Sequence, residues 1–278
     1  MHKFFKIAAM GLELLLVIAG LTAVAAAQDK VLQMATTTST DNTGLLDDLA
    51  PKFKAATGIE LRWVAVGTGK ALELGKNCDV DVLLVHAPGA EKQFVADGYG
   101  VDRTQLMYND FVIMGPRNDP AGVKGKKVAE ALKVFAEKKV PFMSRGDNSG
   151  THKLELALWR QNGISGIDQE PWYVQTGQGM LATINVAAER GGYTLTDRGT
   201  FIKYEDTMKG DPPLVILVEG DDQLFNQYSA MAVSPAKCPK AQYDLAKQFI
   251  HWMASPAAQK AIGDFKLLGK PLFTANAR

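Results

Sequence analysis

An apolar run, Val140-Pro141-Phe142-Met143, leads straight into Ser144-Arg145-Gly146-Asp147-Asn148-Ser149-Gly150-Thr151, and a helical pattern follows from His152 to Gln161. A strand that turns through such a loop into a helix limits the fold sharply, because chains built from these units form sheets with helices on their faces. The helix is expected to begin at about Ser149. Its first amides have no intrahelical partners and carry partial positive charge. Ser149 and Thr151 add hydroxyl donors, and Gly150 lets an anion approach the backbone. Arg145 adds a fixed charge with several N–H groups. Together these residues describe an anion site better than they describe a surface Arg145–Asp147 ion pair or an adhesion tripeptide. Asp147 is expected to hold the guanidinium in place.

The same grammar recurs along the chain. Val31 to Ala35 reads as a strand, followed by Thr36-Thr37-Thr38-Ser39-Thr40 and a helical pattern at Leu45, Leu46, Leu49 and Phe53. Pro51 should bend or break that helix, and Gly58 should close it. The hydroxyl run is either a solvated loop with a helix cap or an oxyanion contact; five hydroxyls in sequence exceed what one cap needs. Ile59 to Val66 is a second strand. It leads to Gly67-Thr68-Gly69-Lys70, which fails the nucleotide-loop spacing and is either a plain turn or a third donor loop through Thr68. Asp79 to Val85 is a third strand, ending at His86-Ala87-Pro88. Thr176-Gly177-Gln178-Gly179 precedes another helix and makes a second glycine-rich helix start in the later half. The alternation predicts a parallel sheet with ligands bound beyond the carboxyl ends of its strands. Extended runs at Met107–Met114 and Tyr228–Val233 look like a crossing into a second lobe and a return from it.

The first 27 residues carry Lys3 and Lys6, an apolar run to Val24 and Ala25-Ala26-Ala27, the layout of a secretory leader cut after Ala27. Glu13 interrupts the run and, with its short length, argues against an uncleaved membrane anchor. Removing Lys3, Lys6 and Glu13 takes 31 basic and 30 acidic residues to equal numbers, so no basic surface for nucleic acid is expected. Two cysteines remain, Cys78 and Cys238. In an exported chain they read as a disulfide, with two separate buried thiols as the alternative. No clustered His or Cys-x-x-Cys points to a metal cation.

A hydrolase reading draws on Ser149 beside His152, yet no Gly-x-Ser-x-Gly elbow is present. Only His86, His152 and His251 remain beyond the leader. Donors are plentiful and the residues for turnover are few, so the composition suits binding rather than catalysis.

The Thr-Thr-Thr-Ser loop, Asp-Val-Leu-Leu-Val-His-Ala-Pro, Tyr-Asn-Asp-Phe-Val-Ile and Ser-Arg-Gly-Asp-Asn-Ser-Gly-Thr-His together resemble the tungstate-binding proteins of bacterial ABC transporters. The resemblance spans the chain after the leader. It implies an α/β, two-lobed periplasmic-binding-protein fold with crossover strands forming the hinge. Lobe I would comprise residues 28–111 and 226–278, and lobe II residues 112–225. It further implies a periplasmic monomer without cofactor that hands tungstate, or molybdate, to a membrane permease. The ligand cage would be Thr36, Thr37, Thr38, Ser39, Arg145, Ser149, Gly150 and Thr151, with Thr68, Gly177 and Gly179 at its margin. Phosphate or sulfate receptors of the same fold are the nearest alternative. Phosphate binders keep an acidic acceptor where this chain has His86, and a carboxylate there would repel a fully deprotonated dianion.

Overall fold

Every loop singled out above does turn a strand into a helix. The computed structural model describes residues 30–278; the expected leader lies outside the described residues. In chain order the first body contains β1 (Lys30–Thr37), α1 (Thr38–Asp41), α2 (Leu45–Thr57), β2 (Ile59–Val66), α3 (Thr68–Lys76), β3 (Val82–Val85) and α4 (Pro88–Ala96). Then β4 (Gly100–Pro116) crosses to α5 (Val128–Lys138), β5 (Phe142–Ser144), α6 (Gly150–Gln161), β6 (Tyr173–Gln175), α7 (Met180–Glu189), β7 (Tyr193–Asp197), α8 (Arg198–Thr207) and β8 (Leu214–Val218). The return is β9 (Phe225–Val233), followed by α9 (Tyr243–Met253) and α10 (Pro256–Asp264).

The sheet is mixed rather than wholly parallel. β2-β1-β3 are parallel neighbours, whereas β9 runs antiparallel to both β3 and β4. The two crossings cause this: a chain that leaves a lobe and returns to it must do so on strands of opposite direction. β4 is shared. Its first part, Gly100 to Asp110, pairs with β9, and Phe111 to Met114 pairs with β7. Beyond it β5 and β6 continue parallel to one another.

The core divides along the same line. Leu32, Phe53, Leu84, Met107, Tyr228 and Phe249 belong to one buried cluster, and Phe111, Phe135, Trp159, Tyr193 and Leu224 to another. Ile202 of α8 crosses this line: it is buried in the first cluster, although Phe201 and Tyr204 of the same helix belong to a further cluster with Met143, Ile184 and Leu214. Thus α8 is wedged between the lobes.

Two local expectations change. Thr36 and Thr37 extend β1, because β-branched threonines suit a strand and pair with Ala65 and Val66 of β2. Pro51 neither breaks nor ends α2. The amide it lacks would have bonded to the carbonyl of exposed Asp47, where water can substitute, while Leu45, Leu46, Leu49 and Phe53 bury the opposite face. Cys78 and Cys238 are disulfide-bonded, with Cα atoms 5.4 Å apart. Among the described residues no helix is long and apolar enough to cross a membrane.

Candidate functional site

A cleft of about 1160 Å³ opens where the carboxyl ends of β1, β2 and β3 meet the loops after β5 and β6. Lobe I lines it with Thr37, Thr38, Ser39, Thr68 and His86; lobe II lines it with Arg145, Ser149, Gly150, Thr151 and Gly179. Nine of the eleven expected ligand residues are therefore on one wall or the other. Thr36 is not: its side chain is fully buried, and its hydroxyl donates to the Leu84 carbonyl at 2.8 Å. Gly177 is not either. It turns the chain ahead of Gly179 with a φ of +67°, away from the wall.

Loop geometry explains why lobe II offers donors. Asp147 accepts from Arg145 Nε at 3.1 Å and Nη2 at 2.5 Å through one oxygen, and from the Ser149 amide at 3.1 Å through the other. Desolvation pushes the Asp147 carboxyl up, but hydrogen bonds from Ser149 and Arg145 outweigh it and hold the group below its ordinary range. The guanidinium is thereby aimed, with N–H groups left over. Gly146 sits at φ +61°, and a Cβ there would meet Gln175 Cβ at 2.7 Å, so only glycine fits this bend. Ser149 caps α6 by accepting from the His152 amide at 3.3 Å. Its carbonyl takes the Lys153 amide, which leaves the Gly150 and Thr151 amides as first-turn donors.

Further helix starts converge here. α3 and α7 begin at Gly67 and Gly179, neither of which supplies a capping side chain. Asp197 also lines the cleft, but its oxygens accept from the Thr200 amide at 2.9 Å and the Thr200 hydroxyl at 2.6 Å. Among the described residues it is the one acid on the wall, and it is occupied by its own helix. Lys203 of α8 reaches across and donates to the Asn42 carbonyl, so the lobes already touch beside the cleft.

Sequence reasoning set His86 where phosphate binders keep an acid but gave it no place in the cage, and it missed Asn226, Asp197 and Lys203. His86 Nε2 lies 3.0 Å from both the Thr37 and Ser39 hydroxyl oxygens, and Nδ1 is 2.8 Å from Asn226 Oδ1. Burial pulls the ring below its ordinary pKa, opposed by the Asn226 hydrogen bond and the Asp197 charge. The turn after it is fixed by fully buried Glu91, which accepts from the Ala87 amide at 2.6 Å and pairs with Arg103 at 2.6 Å. The signal for His86 lay in its position at a strand end. Asn226 had none, being 140 residues away.

Behind the lobe II loop, α6 carries a buried carboxyl. Glu155 accepts from the Tyr173 hydroxyl at 2.6 Å and Trp159 Nε1 at 3.1 Å. Burial pushes it from 4.5 up to about 7, against hydrogen bonds from Tyr173, Ser144 and Trp159. The folded protein therefore holds this proton more tightly than the unfolded chain does. Its contribution is fully present below pH 4.5 and is lost as pH rises to about 7. The loss is on the order of 3 kcal/mol. Glu155→Gln keeps an acceptor without the charge and should remove this part of the pH dependence. Urea unfolding at pH 5 and pH 8 measures it; an equal slope in both proteins would show that Glu155 does not titrate in this range.

The hydrolase alternative finds no Ser149–His152 couple. Ser149 Oγ is bonded to the His152 backbone amide, and His152 Nδ1 accepts from the Asn148 amide at 3.0 Å. Among the described residues no group of His, Cys, Asp and Glu is arranged to hold a metal cation.

The PBP superfamily domain matches residues 23–257. The tungstate-binding protein TupA of Campylobacter jejuni is 50% identical over 241 residues, covering 86% of this chain and 89% of that protein. TupA of Peptoclostridium acidaminophilum is 48% identical over 249 residues, covering 88% and 85%. The solved structure of the tungstate-binding protein TupA from Desulfovibrio alaskensis G20 is 70% identical with a TM-score of 0.86, covering 90% of this chain and 100% of that one.

Proposed function

The chain belongs to the TupA family of tungstate-binding proteins, within the PBP superfamily, and from that membership we propose that it captures tungstate between its lobes and delivers the ion to the permease of an ABC transporter. It is a binding protein of the periplasm, exported by its leader, with no catalytic step and no cofactor. Molybdate, of equal charge and the same donor needs, is a second ligand of the same cage.

The observation that carries the site assignment is the Arg145–Asp147 arrangement at the start of α6, on the same cleft as the Thr37–Ser39 loop. It offers one fixed positive charge and donors from both lobes, while Asp197, the acid on the wall, is bonded within α8. A deprotonated tetrahedral dianion has acceptors in every direction and needs such a set. We take Thr37, Thr38, Ser39, Arg145, Ser149, Gly150 and Thr151 as the cage, with Thr68 and Gly179 closing on it.

The cleft, about 1160 Å³, is much larger than one tetrahedral oxyanion, and closure of the lobes would bring both walls onto the ion. Leu181 and Phe225, about half exposed at 51% and 48%, line it as well. Closing the lobes about β4 and β9 would bury apolar surface and satisfy donors on both sides, which is the differential contact a ligand needs to shift such an equilibrium.

Thermal unfolding in the presence of tungstate, molybdate, sulfate and phosphate tests the assignment. Tungstate at a hundred times its Kd should add about 2.7 kcal/mol, on the order of 5–10 °C for a chain of this size. Phosphate should give little. No shift with tungstate, or a larger one with phosphate, would overturn the reading.

A further inference from the structure

His86 is stacked on Tyr228, ring centroids 4.6 Å apart, at the point where lobe I meets the return strand β9. Its surroundings define a direction for each proton. Asn226 Nδ2 donates to Asn109 Oδ1 at 2.7 Å, joining the two crossover strands β4 and β9. Asn226 Oδ1 is then free to accept, so His86 Nδ1 carries the hydrogen in their 2.8 Å contact. A neutral ring therefore presents a bare Nε2 to two hydroxyls, Thr37 and Ser39, each 3.0 Å away. These hydroxyls also touch each other at 3.0 Å, and Thr37 Oγ1 accepts from the Thr40 amide at 3.2 Å and lies 2.6 Å from the Thr40 hydroxyl.

We propose that His86 is a positioning residue for the oxyanion, which sets how many hydroxyl protons of Thr37 and Ser39 point into the cleft. The inference rests on the tungstate-binding reading of the same cleft. With a neutral ring, Nε2 needs one hydroxyl proton. Thr37 is buried and accepts from the Thr40 amide; with the Thr40 hydroxyl, 2.6 Å away, also donating to it, its own proton goes to Nε2, and Ser39 is left to donate to the ligand. With a proton on Nε2 the direction reverses. The ring donates to a hydroxyl oxygen, and both hydroxyl protons become available to the anion. One proton taken up by His86 thus returns one donor to the cage and places a positive charge beside a dianion.

The order Ser39–His86–Asn226 is that of a nucleophile, a base and an orienting group. It differs from a hydrolytic site in that Nε2 is shared between two hydroxyls rather than aimed at one.

The groups that act on the ring's charge can be named. Asp197 at the start of α8 favours protonation. Lys70, Arg145, Lys153 and Lys203 line the same cleft; positive charge there disfavours a protonated ring, and an anion bound among them offsets it. Tyr228 of β9 is held uncharged by burial, its phenol pushed well above the ordinary range. Thr37, Ser39 and Asn226 carry no charge. Desolvation favours the neutral ring, and a dianion beside it favours the charged form. Binding should therefore tighten as pH falls, and the ring should take up a proton on binding.

Calorimetric titration with sodium tungstate from pH 6 to pH 8.5 tests this on the full secreted chain, using wild type, His86→Gln and Asn226→Asp. Wild type should tighten several-fold from pH 8.5 to pH 6, with proton uptake seen as a buffer-dependent heat. His86→Gln should bind roughly tenfold more weakly at pH 6 with a flat profile. Asn226→Asp places a carboxylate against the Nδ1 hydrogen and should carry tight binding to higher pH, an outcome that a merely structural role would not produce. If wild type binds tungstate but His86→Gln matches it within twofold with the same pH profile, the role of His86 is overturned and the tungstate reading stands. If wild type binds no tungstate, both fall.

Discussion

Arg145→Ala should weaken tungstate binding by about 10²–10⁴-fold, while the melting temperature of the empty protein moves by no more than a few degrees. Both halves follow from the geometry. The guanidinium is 21% exposed and Asp147 22%, so the pair itself contributes at most about 1 kcal/mol to stability. Against a dianion in a closed cleft the same group supplies charge-assisted hydrogen bonds, and truncating such a partner costs roughly 3–5 kcal/mol. Part of that loss has a second origin. Without Arg145, the Asp147 carboxylate is left uncompensated at the mouth of α6 and repels the ligand. The double variant Arg145→Ala/Asp147→Asn should therefore recover part of the affinity, about tenfold, so the two substitutions will not be additive. Arg145→Lys should fall between, because an ammonium keeps the charge but cannot hold Asp147 and the anion in one planar fork. Calorimetry on wild type, Arg145→Ala, Asp147→Asn and the double variant measures the cycle. An Arg145→Ala protein that binds tungstate as tightly as wild type would show that the cage lies elsewhere.

How much of this could be read from the chain follows from the distance over which each feature is encoded. The α6 start is local: a strand, a hydroxyl-rich loop and a helical pattern within about 20 residues of sequence, and its cap falls on Ser149 as expected. The crossings at β4 and β9 are legible for the same reason, as apolar runs too long and too buried for surface strands. Sheet direction is not local. Nothing in Phe225–Val233 says that it runs against β3; that follows from the chain leaving and returning. Thr36 illustrates a subtler limit. Within a run of similar hydroxyls, strand alternation decides which side chain faces the ligand and which turns inward to the Leu84 carbonyl. The run alone does not reveal where the strand stops. The His86–Asn226 contact spans the whole second lobe, so no window of sequence contains it. Asp197 and Lys203 stand in no motif and become part of the site only because α8 is wedged between the lobes.

The disulfide carries the other large expected effect. Lobe I is assembled from two stretches of chain separated by all of lobe II, and Cys78–Cys238 joins them across a sequence separation of 160. In the unfolded chain these stretches drift apart, and bringing them together costs entropy that grows with the logarithm of the loop. For a loop of this length the chain-entropy account assigns the cross-link roughly 5 kcal/mol. The variant Cys78→Ser/Cys238→Ala, chosen because Cys238 is 1% exposed and would bury a hydroxyl badly, should melt on the order of 10–20 °C below wild type. Neither cysteine lines the cleft, so tungstate affinity measured at 25 °C should stay within about twofold, and saturating tungstate should raise both melting temperatures by a similar amount. That combination separates two roles for the bond. A large loss of stability with unchanged affinity means that it acts on the unfolded chain by tying the outgoing and returning segments together. A loss of affinity as well would mean that the bond also holds the β3 end and its His86 turn in register with β9. If the melting temperature falls by less than about 3 °C, the unfolded chain already keeps the two stretches close, through residual clustering of the apolar runs that become β1, β3 and β9.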